Sequence, residues 1–237
     1  MSFLTISKLK INSTDKLLVD LLKVIQTPLT LEHSLALVGQ SGSGKSITLK
    51  SILGLLPFNL SSKFDYKSDF DLKLDNIGFI PQNPFTSLSP MTKIKKQFFQ
   101  PDNIIDNSLK TVGLDINTKD KFPSQLSGGQ LQRVVIAIIL AKKPKLLLLD
   151  EPTTALDSAN KKLILDLLRN LQDRFGFLMI FISHDIESVK TIVKDIAIVK
   201  DGSIIEYGSI DNIITNPQQQ YTKVLLNSNF INRKFRV

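Results

Sequence analysis

An eight-residue loop, Gly39-Gln40-Ser41-Gly42-Ser43-Gly44-Lys45-Ser46, joins the apolar run Leu35-Ala36-Leu37-Val38 to a helical pattern over Lys45–Leu56. It matches the spacing G-x-x-x-x-G-K-S/T, in which glycines let backbone N–H groups converge on a polyphosphate. The helix that follows would present its positive N-terminal end to the same anion. Lys45 is expected to reach the β- and γ-phosphates, and the Ser46 hydroxyl to ligate Mg²⁺. A plain glycine-rich turn is the alternative, and the strand before and helix after the loop argue against it.

The rest of the chain repeats this texture. Ile77-Gly78-Phe79-Ile80 runs into Pro81-Gln82, Leu146–Leu149 into Asp150-Glu151-Pro152, Phe177–Ile182 into Ser183-His184-Asp185, and Ile196–Val199 into Lys200-Asp201-Gly202. Runs that are apolar throughout suit strands buried on both faces of a parallel sheet. Helical patterns at Leu131–Ala141 and Asn160–Phe175 separate them, which predicts an α/β domain. Ligands of such sheets bind beyond the carboxyl ends of the strands, where the polar residues just named fall. Residues 84–125 break the alternation with Pro84, Pro90, Pro101 and Pro123 and read as an inserted, mainly helical segment, while the Lys/Asp mixture at 63–75 reads as solvated surface.

Asp150 and Glu151 close a buried strand, and successive side chains on extended backbone point opposite ways. Asp150 is therefore expected to hold the Mg²⁺ shell, and Glu151 to orient or deprotonate an attacking water. His184 could sense or stabilise charge on a γ-phosphate. His33 lacks comparable context and reads as a surface residue. Leu126-Ser127-Gly128-Gly129-Gln130 precedes a helix with Ser127 placed as its N-cap, and could supply a second phosphate-binding helix terminus.

Composition excludes several classes. Of 237 residues 42% are hydrophobic, enough for a sizeable core, and with no cysteine there is no disulfide, zinc–thiolate site or cysteine nucleophile. The N-terminus reads as lacking a secretory signal, and no apolar run approaches the roughly 18–20 residues that span a bilayer. Thirty Lys+Arg against 22 Asp+Glu give +8, which suggests nucleic acid, an acidic membrane face or phosphates as partners. Four of these charges, Lys223, Arg233, Lys234 and Arg236, follow the last acid, Asp211, and suit an anionic membrane surface.

Taken together, these motifs resemble the ATP-binding subunits of ABC transporters. Gly39–Ser46 is similar to the family's Walker A loop, Pro81-Gln82 to its Q-loop, and Leu126–Gln130 to its signature. Leu146–Asp150 with Glu151 resembles Walker B and the catalytic glutamate, Ala155-Leu156-Asp157 the D-loop, and His184 the switch histidine. All occur in the family's order over roughly residues 3 to 226. Pro81-Gln82-Asn83-Pro84-Phe85-Thr86-Ser87-Leu88-Ser89-Pro90, Phe122-Pro123-Ser124-Gln125, Gln132-Arg133 and the stretch from Gly208 to Leu226 resemble the oligopeptide, dipeptide and nickel importer group. Ser51–Pro57 leans towards its nickel branch.

The resemblance implies a P-loop NTPase (RecA-like) α/β core with a mostly parallel sheet, an N-terminal antiparallel β part and an inserted helical subdomain at about 84–142. One ABC ATPase domain would span 1–226, with a basic tail at 227–237. It implies ATP and Mg²⁺ as cofactors, with Gly39, Gln40, Ser41, Gly42, Ser43, Gly44, Lys45 and Ser46 around the phosphates. Gln82 would touch Mg²⁺ and couple to the membrane subunits, and Ser127 and Gly129 would contact ATP bound by the partner. Lys45, Glu151 and His184 would be the catalytic set. The partners implied are a second ABC ATPase subunit, two membrane permease subunits and, indirectly, an extracytoplasmic substrate-binding protein, at the cytoplasmic face of the membrane. The segment Leu9–Lys16 lacks the aromatic on which the family usually stacks adenine, so the base would be held otherwise. A nucleic-acid- or ribosome-associated ABC ATPase is the alternative. Against it, the chain carries a single cassette and no sustained heptads between Lys45 and Leu126.

Overall fold

The computed structural model describes residues 2–13, 22–25, 28–154 and 156–234. Ala155, the stretch Thr14-Asp15-Lys16 and Arg236, all singled out above, lie outside the described residues, as do the side chains of Arg233 and Lys234. The chain runs through β1 (Leu4–Ser13), β2 (Leu22–Ile25), β3 (Leu29–Leu31), β4 (Ser34–Val38), α1 (Lys45–Ile52), β5 (Leu60–Ser68) and β6 (Ile77–Ile80). It continues through α2 (Ile94–Phe98), α3 (Asp102–Thr111), α4 (Gly128–Leu140), β7 (Leu146–Asp150), α5 (Ser158–Phe175) and β8 (Leu178–Ser183). The last elements are α6 (Ile186–Val189), β9 (Asp195–Lys200), β10 (Ser203–Ser209), α7 (Ile210–Thr215) and α8 (Gln220–Lys234). They group into two compact units, Met1–Lys73 with Leu178–Val237, and Leu74–Phe177.

In the first unit, β4 pairs in parallel with β8 on one side and β9 on the other, and β10 continues from β9 as an antiparallel hairpin. Every residue of β4 and β8 is buried, as continuous apolar runs in a two-sided sheet require. Each fully buried Leu, Ile or Phe here contributes about 1.5–3 kcal/mol. A separate antiparallel sheet is built on β1, which pairs with β2, β3 and, along most of its length, β5. Leu4 and Ile6 and, after the irregularity between Ile6 and Lys8, Leu9 and Ile11 are the buried residues of β1. The segment expected to be solvated surface is thus partly a strand. β5 carries mostly exposed residues, and only its ladder with β1 specifies it.

The helical pattern expected to reach Leu56 stops at Ile52. Leu53 caps α1, Gly54 takes a left-handed φ of 68°, Gly54 N–H donates to Ser51 O, and Leu55 N–H donates to Lys50 O at 2.8 Å. This pair of bonds satisfies the orphan carbonyls of the last turn. His33 is half-buried rather than a plain surface residue, and its carbonyl accepts the Met179 N–H at 2.9 Å.

In the second unit, β6 and β7 pair in parallel and the helices α2 to α5 surround a core of Leu146–Leu149, Leu131, Val134, Ile136, Ile164 and Leu168. Within residues 84–142 the regular elements are the helices α2, α3 and α4 with short 3₁₀ turns. Lys119 ties one such turn to α3 by bonding Asp106 at 2.7 Å and Asp102 at 3.4 Å.

Candidate functional site

The phosphate-type loop in the first unit is shaped by backbone. Gly42 and Gly44 take φ of 82° and 103°, a region that side chains disfavour. Gly39 lies against β9 so closely that a Cβ there would stand 2.1 Å from Val199 O. Lys45 is only 5% exposed, and its ammonium donates to Gly39 O and Gln40 O, both at 2.8 Å. A buried ammonium must be hydrogen-bonded, and here two loop carbonyls turn inward to take it. Ser46 lies in the first turn of α1 with its side chain exposed.

The register Val38↔Ser183 sets the ends of β4 and β8 level. His184 therefore emerges from the strand end beside the one that feeds Gly39, exposed, before Asp185 caps α6 by accepting Glu187 N–H at 3.1 Å. The first unit thus brings together the loop and His184 at one sheet edge.

The second unit gathers the other carboxylate and amide candidates. The register Ile80↔Leu149 puts Pro81-Gln82 level with Asp150-Glu151 at the carboxyl ends of β6 and β7. Gln82 is exposed, while Asp150 and Glu151 are half-buried. Glu151 breaks the strand with a left-handed φ of 45°. For a non-glycine residue this costs on the order of 1–3 kcal/mol, and such strain concentrates at functional sites. The turn is held by its own bonds. Thr154 N–H donates to Glu151 O at 3.2 Å, and the Thr154 hydroxyl donates to Glu151 Oε2 at 2.9 Å.

Ser127 is the N-cap of α4, as its sequence context requires. Its Oγ accepts Gln130 N–H at 3.3 Å, and Gln130 Oε1 accepts Ser127 N–H at 3.0 Å, a reciprocal capping box. Gly129 is buried, and a Cβ on it would stand 2.4 Å from Asn160 Oδ1. Asn160 in turn donates from its backbone N–H to Asp157 Oδ1 at 3.0 Å and from Nδ2 to Asp157 Oδ2 at 2.6 Å. These bonds, the backbone one first, hold the Asp157 carboxyl below its ordinary value. Arg133 donates to Gly113 O at 2.8 Å and Gly129 O at 3.4 Å, and burial lowers its pKa.

Sequence reasoning missed Thr154 and Asn160 as parts of this arrangement. Their bonds and close approaches depend on turn geometry and helix packing, which no residue spacing announces.

The loop of the first unit fits a triphosphate, and each unit separately carries oxygen donors of the kind magnesium takes. The loop offers a buried cation and a helix N-terminus to an anion. For the metal, the Ser46 hydroxyl, the Gln82 amide oxygen and the Asp150 carboxylate are hard oxygen donors, the type Mg²⁺ prefers.

Comparison with known proteins gives the family. Residues 22–154 match the family model described as "ABC transporter". A metal-staphylopine import system ATP-binding protein, CntD of Staphylococcus aureus (strain Mu50), is 34% identical over 96% of this chain and 93% of its own length. The oligopeptide transport ATP-binding protein OppD of Bacillus subtilis is 38% identical over 83% of this chain, which spans 63% of OppD. The peptidoglycan transport ATP-binding protein YejF of Agrobacterium fabrum is likewise 38% identical over 81% of this chain, which spans only 40% of it. Among solved structures, cbiO1 of Clostridium perfringens, part of the ABC transporter complex cbiONQ, superposes with a TM-score of 0.76 at 26% identity, covering 99% of this chain and 98% of that one. The mostly parallel α/β core with its antiparallel N-terminal sheet, expected from the sequence, is the fold found. With its loop, paired carboxylates and capped signature helix, the chain belongs to the ABC transporter family, as an ATP-binding domain of the ATPases that drive these transporters.

Proposed function

We propose that this chain is the ATP-hydrolysing subunit of an ABC importer in the oligopeptide, dipeptide and metal group, with nickel or another metal, or oligopeptides, as its cargo. The observation that carries this reading is the relative CntD, matched over nearly the full length of both chains and named for metal-staphylopine import. OppD, named for oligopeptides, supports the group as a whole. CntD, OppD and YejF are all named for transport, which favours this over a nucleic-acid-associated ATPase.

In this reading Lys45 leaves the carbonyls of Gly39 and Gln40 for the β- and γ-phosphates, and loop N–H groups replace water around them. Ser46, Gln82 and Asp150 would hold Mg²⁺, which would supply positive charge to offset that of the phosphate oxygens. Glu151, steadied by the Thr154 hydroxyl, orients the attacking water and accepts its proton. His184 stands by the γ-phosphate. Ser127 and Gly129 serve nucleotide on a partner ATPase chain, so two chains are needed for a complete pair of sites.

The domain would span 1–226, with a helical subdomain at about 84–142 and a tail at 227–237. The exposed apolar side chains Phe85, Met91 and Phe99 support docking against other subunits. Among the described residues no helix is long and apolar enough to cross a membrane. We place the chain peripherally, at the cytoplasmic face, with two permeases and, through them, an extracytoplasmic capture protein. Tagged chain isolated from detergent-extracted membranes should bring two permeases with it, and their uptake substrate identifies the cargo. Recovery with ribosomes or DNA and without any permease would overturn the importer reading.

A further inference from the structure

The start of α8 is pinned to the β9–β10 hairpin. Glu206 on β10 accepts the backbone N–H groups of Gln218 at 2.7 Å and Gln219 at 3.1 Å, and the hydroxyl of the fully buried Thr222 at 2.5 Å. Tyr221, between them, is thereby fixed, with Lys200 Nζ 5.3 Å above its ring. Its phenol oxygen accepts the backbone N–H of Gln40, the second residue of the phosphate loop, at 3.1 Å. The turn of the same hairpin reaches the loop as well, since Gly202 N–H donates to Ser43 O at 3.1 Å.

The Gln40 N–H and the Gly39 C=O belong to one planar peptide group and point to opposite sides of it. The carbonyl of that group accepts Lys45 Nζ at 2.8 Å. One rigid plane is therefore held at one edge by Tyr221 and at the other by the lysine that serves ATP. When Lys45 moves to phosphate, the plane loses its anchor on the carbonyl side. Tyr221 is then the bond that keeps the peptide from rotating and the N–H groups beyond it aimed at the ligand.

We propose that Tyr221 is a positioning residue for the nucleotide, acting through the Gly39–Gln40 peptide, and that it couples α8 and the β9–β10 hairpin to the occupancy of the loop. This rests on reading Gly39–Ser46 as the phosphate site.

The test is MgATP binding by the full chain, measured by calorimetry for wild type, Tyr221→Phe, Glu206→Gln and Lys45→Ala, with hydrogen exchange of residues 220–227 with and without MgATP. Tyr221→Phe keeps the ring under Lys200 and removes only the oxygen. Loss of one hydrogen bond should weaken MgATP about three- to tenfold. Nucleotide should slow amide exchange in 220–227 of the wild type and not in Tyr221→Phe. Glu206→Gln, which loosens the start of α8 and leaves the phenol in place, should weaken MgATP in the same direction. Tyr221→Phe that binds MgATP like wild type, while Lys45→Ala loses it, overturns the proposal and leaves the loop assignment standing. So does a Tyr221→Phe whose melting temperature falls while its affinity is unchanged. Lys45→Ala that binds like wild type overturns the loop assignment and the proposal with it.

Discussion

Two glycines and one glutamate show how single residues set this site. Gly39 cannot carry a side chain, because the obstacle to a Cβ is a backbone carbonyl, Val199 O, at 2.1 Å. Gly39→Ala should therefore force β4 and β9 apart, with a cost of about 1–3 kcal/mol in urea unfolding. Gly129 is different, since its obstacle is the Asn160 side chain, which belongs to the capping arrangement of Asp157. Glu151 holds a left-handed φ of 45° that glycine would adopt more readily, so its side chain is kept in that turn at a cost in stability. The chemistry of these positions was legible in the sequence, because G-x-x-x-x-G-K-S and the Asp-Glu pair name the residue types. Their geometry was not. No residue pattern announces that Glu151 leaves the strand in a left-handed turn or that Thr154 bonds its carboxylate.

Helices and strands divide by what specifies them. β6, expected at Ile77–Ile80, lies there, because its run is buried at every residue but the half-buried Phe79 and ends at Pro81. α4 begins at Gly128, earlier than the apolar periodicity at Leu131 suggests, because the Ser127 capping box recruits three further residues. β5 escaped the sequence reading because its exposed face is charged and its partner, β1, lies far away in sequence. α8 meets the phosphate loop across 181 residues, a distance that local patterns cannot bridge.

Two predictions belong to single helices. Gln132 in α4 is 0% exposed, and neither atom of its amide has a hydrogen-bond partner among the described residues. Replacing it with leucine removes an unpaired polar group at similar volume. Gln132→Leu should raise stability by about 1–3 kcal/mol in urea titration. Asp157 caps α5, and its folded-state pKa is lowered from the ordinary 3.8 by its bonds from Asn160. A depressed acid pKa stabilises the fold above the unfolded value and ceases to do so as pH falls through the folded value. The melting temperature of wild type should exceed that of Asp157→Ala at neutral pH, and the gap should narrow as pH falls below about 3.8. A gap that stays constant through that range would show the carboxylate charge to be irrelevant to the cap.

For the whole molecule, the net charge of +8 is divided, since four basic residues follow the last acid and the remainder is modest for a chain of 237 residues. Nucleic acid is therefore not needed to explain it. In the proposed reading, length and motif order describe one cassette, and α4, capped by Ser127, would offer its N-terminus and Gly129 to a nucleotide bound by another chain. The family assignment was legible early because six short motifs in one order leave little room for coincidence. The cargo was not, because in the proposed function other subunits recognise it.

The central claim is that this chain hydrolyses ATP using the phosphate loop and Glu151. The direct measurement is phosphate release by the chain assembled with its membrane partners, compared with the Glu151→Gln variant under saturating MgATP. Removing the carboxylate that orients water should lower the turnover by a factor of about 10²–10⁴ while MgATP still binds. Turnover by Glu151→Gln equal to that of the wild-type complex would contradict the account.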